Sequence, residues 1–115
     1  ALFLVPQCPK DKSWMGPMYP VLKSMIERYT TDNDAQPATA DINKVYIFGG
    51  SMGGTGTWGM LSMYPDMFAA AMPVAGNPSQ CVAENVAHTP VFTVMGTADV
   101  IRDGSRFYCQ AKRSR

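Results

Sequence analysis

Five residues, Gly49-Gly50-Ser51-Met52-Gly53, fit G-x-S-x-G and stand between a β-branched and aromatic run, Val45-Tyr46-Ile47-Phe48, and a segment of helical character. A serine on so sharp a strand-to-helix turn is forced into a strained backbone conformation that lifts its hydroxyl above the sheet edge. The glycines on either side keep side chains from clashing across the turn. The helix that follows aims free N–H groups and a partial positive charge at the same spot. The combination suits acyl chemistry, with Ser51 as nucleophile and the Met52 N–H as a donor to the developing oxyanion, an effect of ~3–4 kcal/mol per donor where it has been measured. The plainer alternative is a glycine-rich loop in which Ser51 caps the helix.

Two other readings of these glycines fail on position. Gly54-Thr55-Gly56-Thr57-Trp58-Gly59 matches the dinucleotide pattern G-x-G-x-x-G, but it begins inside the helix, too late to form a phosphate turn. A phosphate-binding P-loop needs a lysine before the Ser/Thr, and Gly54-Thr55 has none. Gly56 and Gly59 are expected to let the helix pack closely on the sheet, at ~1 kcal/mol each relative to Ala.

A second chemical signal is Gly96-Thr97-Ala98-Asp99, directly after the run Val91-Phe92-Thr93-Val94-Met95. Chemistry in an open parallel sheet gathers at the carboxyl ends of strands, where Ser51 and Asp99 would both lie. An acid there can orient a histidine and stabilise the imidazolium formed when serine loses its proton. A turn aspartate capping the next helix is the bland alternative, and Asp103 competes for either job. His88 is the chain's single histidine. It precedes Asp99 and sits at the start of a strand whose ends are about 17–23 Å apart. As a base within one chain it is therefore expected at the wrong edge of the sheet.

The elements that must position these residues can be read from periodicity. Residues 2–5 form a short apolar run ended by Pro6, which suits a buried strand. Met18, Val21, Leu22, Met25, Ile26 and Tyr29 recur at helical spacing, and residues 30–41 are polar and loop-like. Strands are expected at 44–48, 69–75 and 91–95. Helices are expected at 52–64, where Pro65 ends the pattern, and at 103–112. Such alternation argues for one α/β domain over residues 1–115, a mainly parallel sheet with helices on both faces.

Composition narrows the function classes. The chain has 115 residues and is 46% hydrophobic, which suits a globular domain and excludes a disordered one. Ten basic residues against nine acidic ones leave no basic block except Lys112-Arg113-Ser114-Arg115, which reads as a solvated end. Nucleic-acid binding is thus not expected. No apolar run approaches the ~18 residues of a membrane span, and Ala1-Leu2-Phe3-Leu4-Val5 has no basic flank to make it a signal peptide. The chain reads as soluble, with its compartment open. Cys8, Cys81 and Cys109 have no metal-ligand spacing and are expected as small buried hydrophobes, a single disulfide being the alternative. Neither metal nor cofactor is expected.

Taken together, LFLVPQCPKDKSW, INKVYIFGGSMGGTGTWGM with YPDMFAAAMPVAG, and TPVFTVMGTAD resemble the α/β-hydrolase superfamily. They are most similar to its bacterial esterases labelled predicted peptidases, related to feruloyl and acetyl-xylan esterases and polyhydroxybutyrate depolymerases. The resemblance runs over nearly the whole chain and implies a partial α/β-hydrolase core. It implies hydrolysis of small-molecule esters, plant cell-wall esters among them, through an acyl-serine. Ser51 matches the family's nucleophile, Asp99 its triad acid and Met52 its oxyanion donor. Trp14 and Asn77 fall in loops that would border the substrate.

The family's base follows the acid by a further strand, and its second oxyanion donor comes from an earlier loop. Neither has a counterpart here. The family's strand order also leaves a gap of about 9–10 Å between the strands at 1–5 and 44–48. The chain is therefore expected either to be a piece of a larger hydrolase or to complete itself as a homo-oligomer, bringing His88 of one copy to Ser51 of another. The alternative to an enzyme is an impaired hydrolase domain kept as a binding or assembly piece.

Overall fold

A computed structural model describes residues 2–31, 40–79 and 81–99. In chain order it contains helix α1 (Met18–Thr31), a 3-10 turn (Ile42–Lys44), strand β1 (Tyr46–Gly50), helix α2 (Met52–Met63), strand β2 (Ala70–Val74) and the short helix α3 (Ala83–Val86). β1 and β2 run parallel, in register from Tyr46 opposite Ala70 to Gly50 opposite Val74, with α2 as the crossover between them. The result is a partial α/β fold, a parallel sheet with flanking helices.

The strand expected at 91–95 runs beside β2, but only as two parallel bridges, Ala71 with Val91 and Val74 with Val94. Proline explains the interruption. Pro73 lies between the two bridges and has no N–H to give the ladder. The flanking bonds form, with Ala71 N donating to Pro90 O at 3.0 Å and Ala75 N to Val94 O at 2.8 Å. At the gap the Thr93 hydroxyl donates to the Pro73 carbonyl at 2.7 Å. The sheet thus continues across Pro73 by a side chain.

Residues 2–5 are not a buried strand. They pair with nothing assigned as a strand, and they are exposed, Phe3 to 78% and Val5 to 86%. An apolar run becomes a strand only when a neighbour supplies hydrogen-bond partners, and none lies beside it among the described residues. At the other end of α1, Thr30 and Thr31 belong to the helix rather than to the loop. Their hydroxyls donate back to Ile26 O and Glu27 O at 2.8 and 2.6 Å. The helix expected at 103–112, Asp103 and Cys109 lie outside the described residues. Among the described residues Cys8 and Cys81 form no disulfide, and both are half-buried rather than buried.

α2 organises the core. Trp58, Met60 and Leu61 are buried with Phe68, Ala71 and Val86, and Leu22 and Ile26 of α1 pack against them. The helix ends at Tyr64, whose N–H still reaches Met60 O at 2.9 Å, because Pro65 cannot continue it. Helices were expected on both faces of the sheet. Among the described residues they cover one, over Ile47, Ala71 and Pro73, while Tyr46, Phe48, Met72, Phe92 and Val94 stay exposed on the other. No helix among the described residues is long and apolar enough to cross a membrane.

Candidate active site

Ser51 occupies the turn between the carboxyl end of β1 and the first residue of α2, with φ 53° and ψ −115°. A positive φ is costly for a residue with a Cβ, on the order of 1–3 kcal/mol, and persists only where the surroundings enforce it. Here the Ser51 N–H donates to Val74 O at 2.9 Å and the Ser51 carbonyl accepts from Thr55 N at 3.0 Å. The backbone is pinned on both sides, and the side chain makes no capping hydrogen bond to the helix. The capping alternative for this serine therefore does not describe the structure. Met52 opens α2, so its N–H has no acceptor within the helix.

The glycines show why the turn can be so tight. A Cβ on Gly49 would strike the backbone of Gly53, which closes the loop over it. At Gly53 itself a Cβ would meet nothing within 4 Å. Sequence reasoning missed Gly54 and Gly76, which pass backbone against backbone. A Cβ on Gly54 would lie 2.6 Å from Val74 O and 2.9 Å from Gly76 Cα. Gly56 and Gly59 do not meet the sheet. They receive aromatic side chains from the α1 side, Trp14 on Gly56 and the Tyr19 hydroxyl on Gly59. Ala75, directly after β2, also has a positive φ of 51° and lines the same cavity as Ser51.

Ser51 opens onto a cavity of about 480 Å³, within the usual range of small-molecule sites. On α2 the lining positions are Met52, Thr55, Trp58, Gly59, Ser62 and Met63, a single helical face. Met15 and Tyr19 form one wall; Ala75, Asn77, Ser79 and Cys81 form the other. Asn77 is thus at the site, though through its backbone: its N–H donates to the Thr55 hydroxyl at 3.0 Å. Its side-chain oxygen accepts from Ser79 N at 2.9 Å and shapes the loop. Trp14 packs on α2 at Gly56, and it is not among the residues lining the cavity. Burial, reinforced by nearby Cys81, holds the Tyr19 phenol above its ordinary pKa of 10, so the wall is neutral through the physiological range.

Asp99 lies half-buried in the turn after the 91–94 segment, its N–H donating to Gly96 O at 3.1 Å. Ser51 and Asp99 are therefore both beyond the carboxyl ends of parallel strands. His88 is not brought to them. It is exposed in the turn after α3, ahead of Val91, which bridges Ala71 near the amino end of β2. Four to seven strand-like residues, roughly 13–23 Å, separate its level from that of Ser51.

No protein-family model matches the chain. Over 74 residues it is 34% identical to poly(3-hydroxyalkanoate) depolymerase C of Paucimonas lemoignei, an alignment covering 64% of this chain and 16% of the depolymerase. Among solved structures it superposes on a thermostable esterase with a TM-score of 0.78 and 29% identity, covering 95% of this chain and 31% of the esterase. The chain thus spans well under half the length of either. The resemblance to esterases of the α/β-hydrolase type holds in sequence and in fold.

Proposed function

We propose that this chain carries the nucleophile of a serine ester hydrolase acting on short-chain or aromatic acyl esters. The observation that supports it most is Ser51: a positive-φ serine at a strand-to-helix turn, without a capping bond, opening onto a cavity. In this reading the Ser51 hydroxyl attacks the ester carbonyl and the Met52 N–H receives the oxyanion. The tetrahedral adduct expels the alcohol, leaving an acyl-serine that water then hydrolyses. Asp99 orients the base and stabilises its charged form. The base itself comes from outside the neighbourhood of Ser51 described here, either His88 of a second copy or a residue of another part of the hydrolase. The depolymerase relative adds polymeric hydroxyalkanoate esters to the candidate substrates.

A second reading, an assembly or binding piece without turnover, is favoured by the exposed apolar sheet face of Tyr46, Phe48 and Phe92. Hydrolysis of p-nitrophenyl acetate by the chain and by Ser51→Ala, followed over pH 5–9, separates the two. A serine-dependent rate that declines below about pH 6–7 is the expected result and indicates a histidine base. Equal rates in chain and variant would remove Ser51 from the mechanism. Catalysis from the oxyanion site and substrate binding alone can exceed that of water by ~10³–10⁴, so weak activity by itself does not prove an intact triad, and only the part of the rate lost in Ser51→Ala counts for the esterase reading.

A further inference from the structure

Threonines inside helices often turn their hydroxyls back to the carbonyl four residues earlier. Thr30, Thr31 and Thr57 do so here, to Ile26 O, Glu27 O and Gly53 O at 2.8, 2.6 and 2.8 Å. Thr55 is the exception. Its hydroxyl stands 3.5 Å from Ser51 O, at the limit of a hydrogen bond, and accepts instead from Asn77 N, 22 residues on, at 3.0 Å. Asn77 is also fixed by its side chain, whose oxygen accepts from Ser79 N at 2.9 Å. The segment held in this way leaves the sheet at Ala75, where φ is 51°, and supplies Ala75, Asn77 and Ser79 to one wall of the cavity. α2 meets the same side of the cavity again at Ser62, whose hydroxyl accepts from Val82 N at 2.9 Å, but that is seven residues, roughly 10 Å, further along the helix. Thr55 is one turn from Ser51, and the backbone of Ser51 has its own ties to Val74 O and Thr55 N.

We infer that Thr55 is a positioning residue: its hydroxyl holds Asn77, and with it the 75–79 wall of the cavity, in the place where that wall binds an ester beside Ser51. The inference rests on the esterase reading and deepens it by naming the residue that sets the substrate-binding wall. Thr55 acts on binding rather than on the attack. With the hydroxyl gone, the Asn77 N–H loses its acceptor and the wall is free to shift, while Ser51 keeps both of its backbone bonds.

The test compares p-nitrophenyl acetate hydrolysis by the chain, Thr55→Val and Thr55→Ser. Valine keeps the branched shape without the hydroxyl, and serine keeps the hydroxyl. Thr55→Val is expected to raise KM about three- to tenfold, the scale of one hydrogen bond, at a kcat close to the parent's. Thr55→Ser should restore the parent's KM. Amide exchange at Asn77 should rise in Thr55→Val while that at Ser51, bonded to Val74 O, stays slow. A merely structural threonine would lower the folded fraction, so that apparent kcat falls at constant KM. That result overturns the inference, as do an unchanged KM, unchanged exchange at Asn77, or a raised KM that serine does not restore. A second readout needs no turnover: in a Ser51→Ala background, p-nitrophenyl acetate is titrated against the fluorescence of Trp58, which lines the cavity. Should no chain show serine-dependent turnover, binding weakened by Thr55→Val and restored by Thr55→Ser overturns the esterase reading and leaves the wall assignment standing, whereas equal binding in all three overturns the assignment. Where circular dichroism shows Thr55→Val unfolded, Thr55→Ala takes its place under the same criteria.

Discussion

Gly53 and Gly54 are neighbours in sequence and opposites in packing. A methyl group on Gly53 would enter open space inside a helix, where replacing glycine removes backbone freedom from the unfolded chain. A methyl group on Gly54 would press on Val74 O and Gly76 Cα, both backbone atoms that no rotamer change can move. Gly53→Ala is therefore expected to stabilise by about 0.5–1 kcal/mol and Gly54→Ala to destabilise by about 1–3 kcal/mol, both read as shifts in urea midpoint at constant slope. Equal effects would mean that the close approach of α2 to the end of β2 does not constrain the fold. The contrast also shows what a motif can reveal. G-x-S-x-G made the turn and Ser51 legible, because the pattern is local. The need for glycine at 54 and 76 arises between segments about twenty residues apart, and no local pattern carries it.

At the scale of elements, β1, α2, β2 and α1 were legible because each has its own period and punctuation: a β-branched run ending in glycines, a helical stripe, a proline after Tyr64. The 2–5 run and the 91–95 strand were less so, since a strand exists only through its neighbour. The first has no partner among the described residues. The second has β2, but Pro73 denies it one donor, and the Thr93 hydroxyl bridges the gap at 2.7 Å. That bond makes the segment leading to Asp99 depend on one side chain. Thr93→Val, similar in shape without the hydroxyl, is expected to cost about 1 kcal/mol. It should also raise hydrogen exchange at the Ala75 and Phe92 amides, which donate to Val94 O and Ala71 O on either side. Unchanged exchange there would show that backbone bridges alone hold the segment. Because Asp99 follows it, the same substitution tests whether the turn carrying Asp99 depends on the sheet for its position.

Across the whole molecule the asymmetry is between a sheet face covered by helices and one left bare. Alternating strands and helices led to the expectation of cover on both faces, a rule that presumes helices enough to supply it. α1, α2 and α3 all share the core built on Trp58 and Leu61, and Tyr46, Phe48 and Phe92 remain 65–67% exposed on the far side with Met72 and Val94. β1 also offers its outer edge, unpaired by any strand among the described residues. A contiguous apolar patch of this kind, roughly several hundred Å² on aromatic side chains alone, is at the upper end of what monomers leave in water. An open strand edge beside it adds unpaired backbone groups that favour edge-to-edge pairing. The 115-residue chain studied by itself is thus expected to bind a hydrophobic dye strongly and to associate as concentration rises, with light scattering giving masses above that of one chain. Phe48→Lys combined with Phe92→Lys should lower both signals without changing the circular dichroism, because neither side chain contributes to the buried core. A sharp monomer at every dilution, with no dye binding, would mean the bare face is tolerated in water. Association lost in the double variant while serine-dependent turnover persists would separate assembly from catalysis and argue against a base supplied by a second copy through this face.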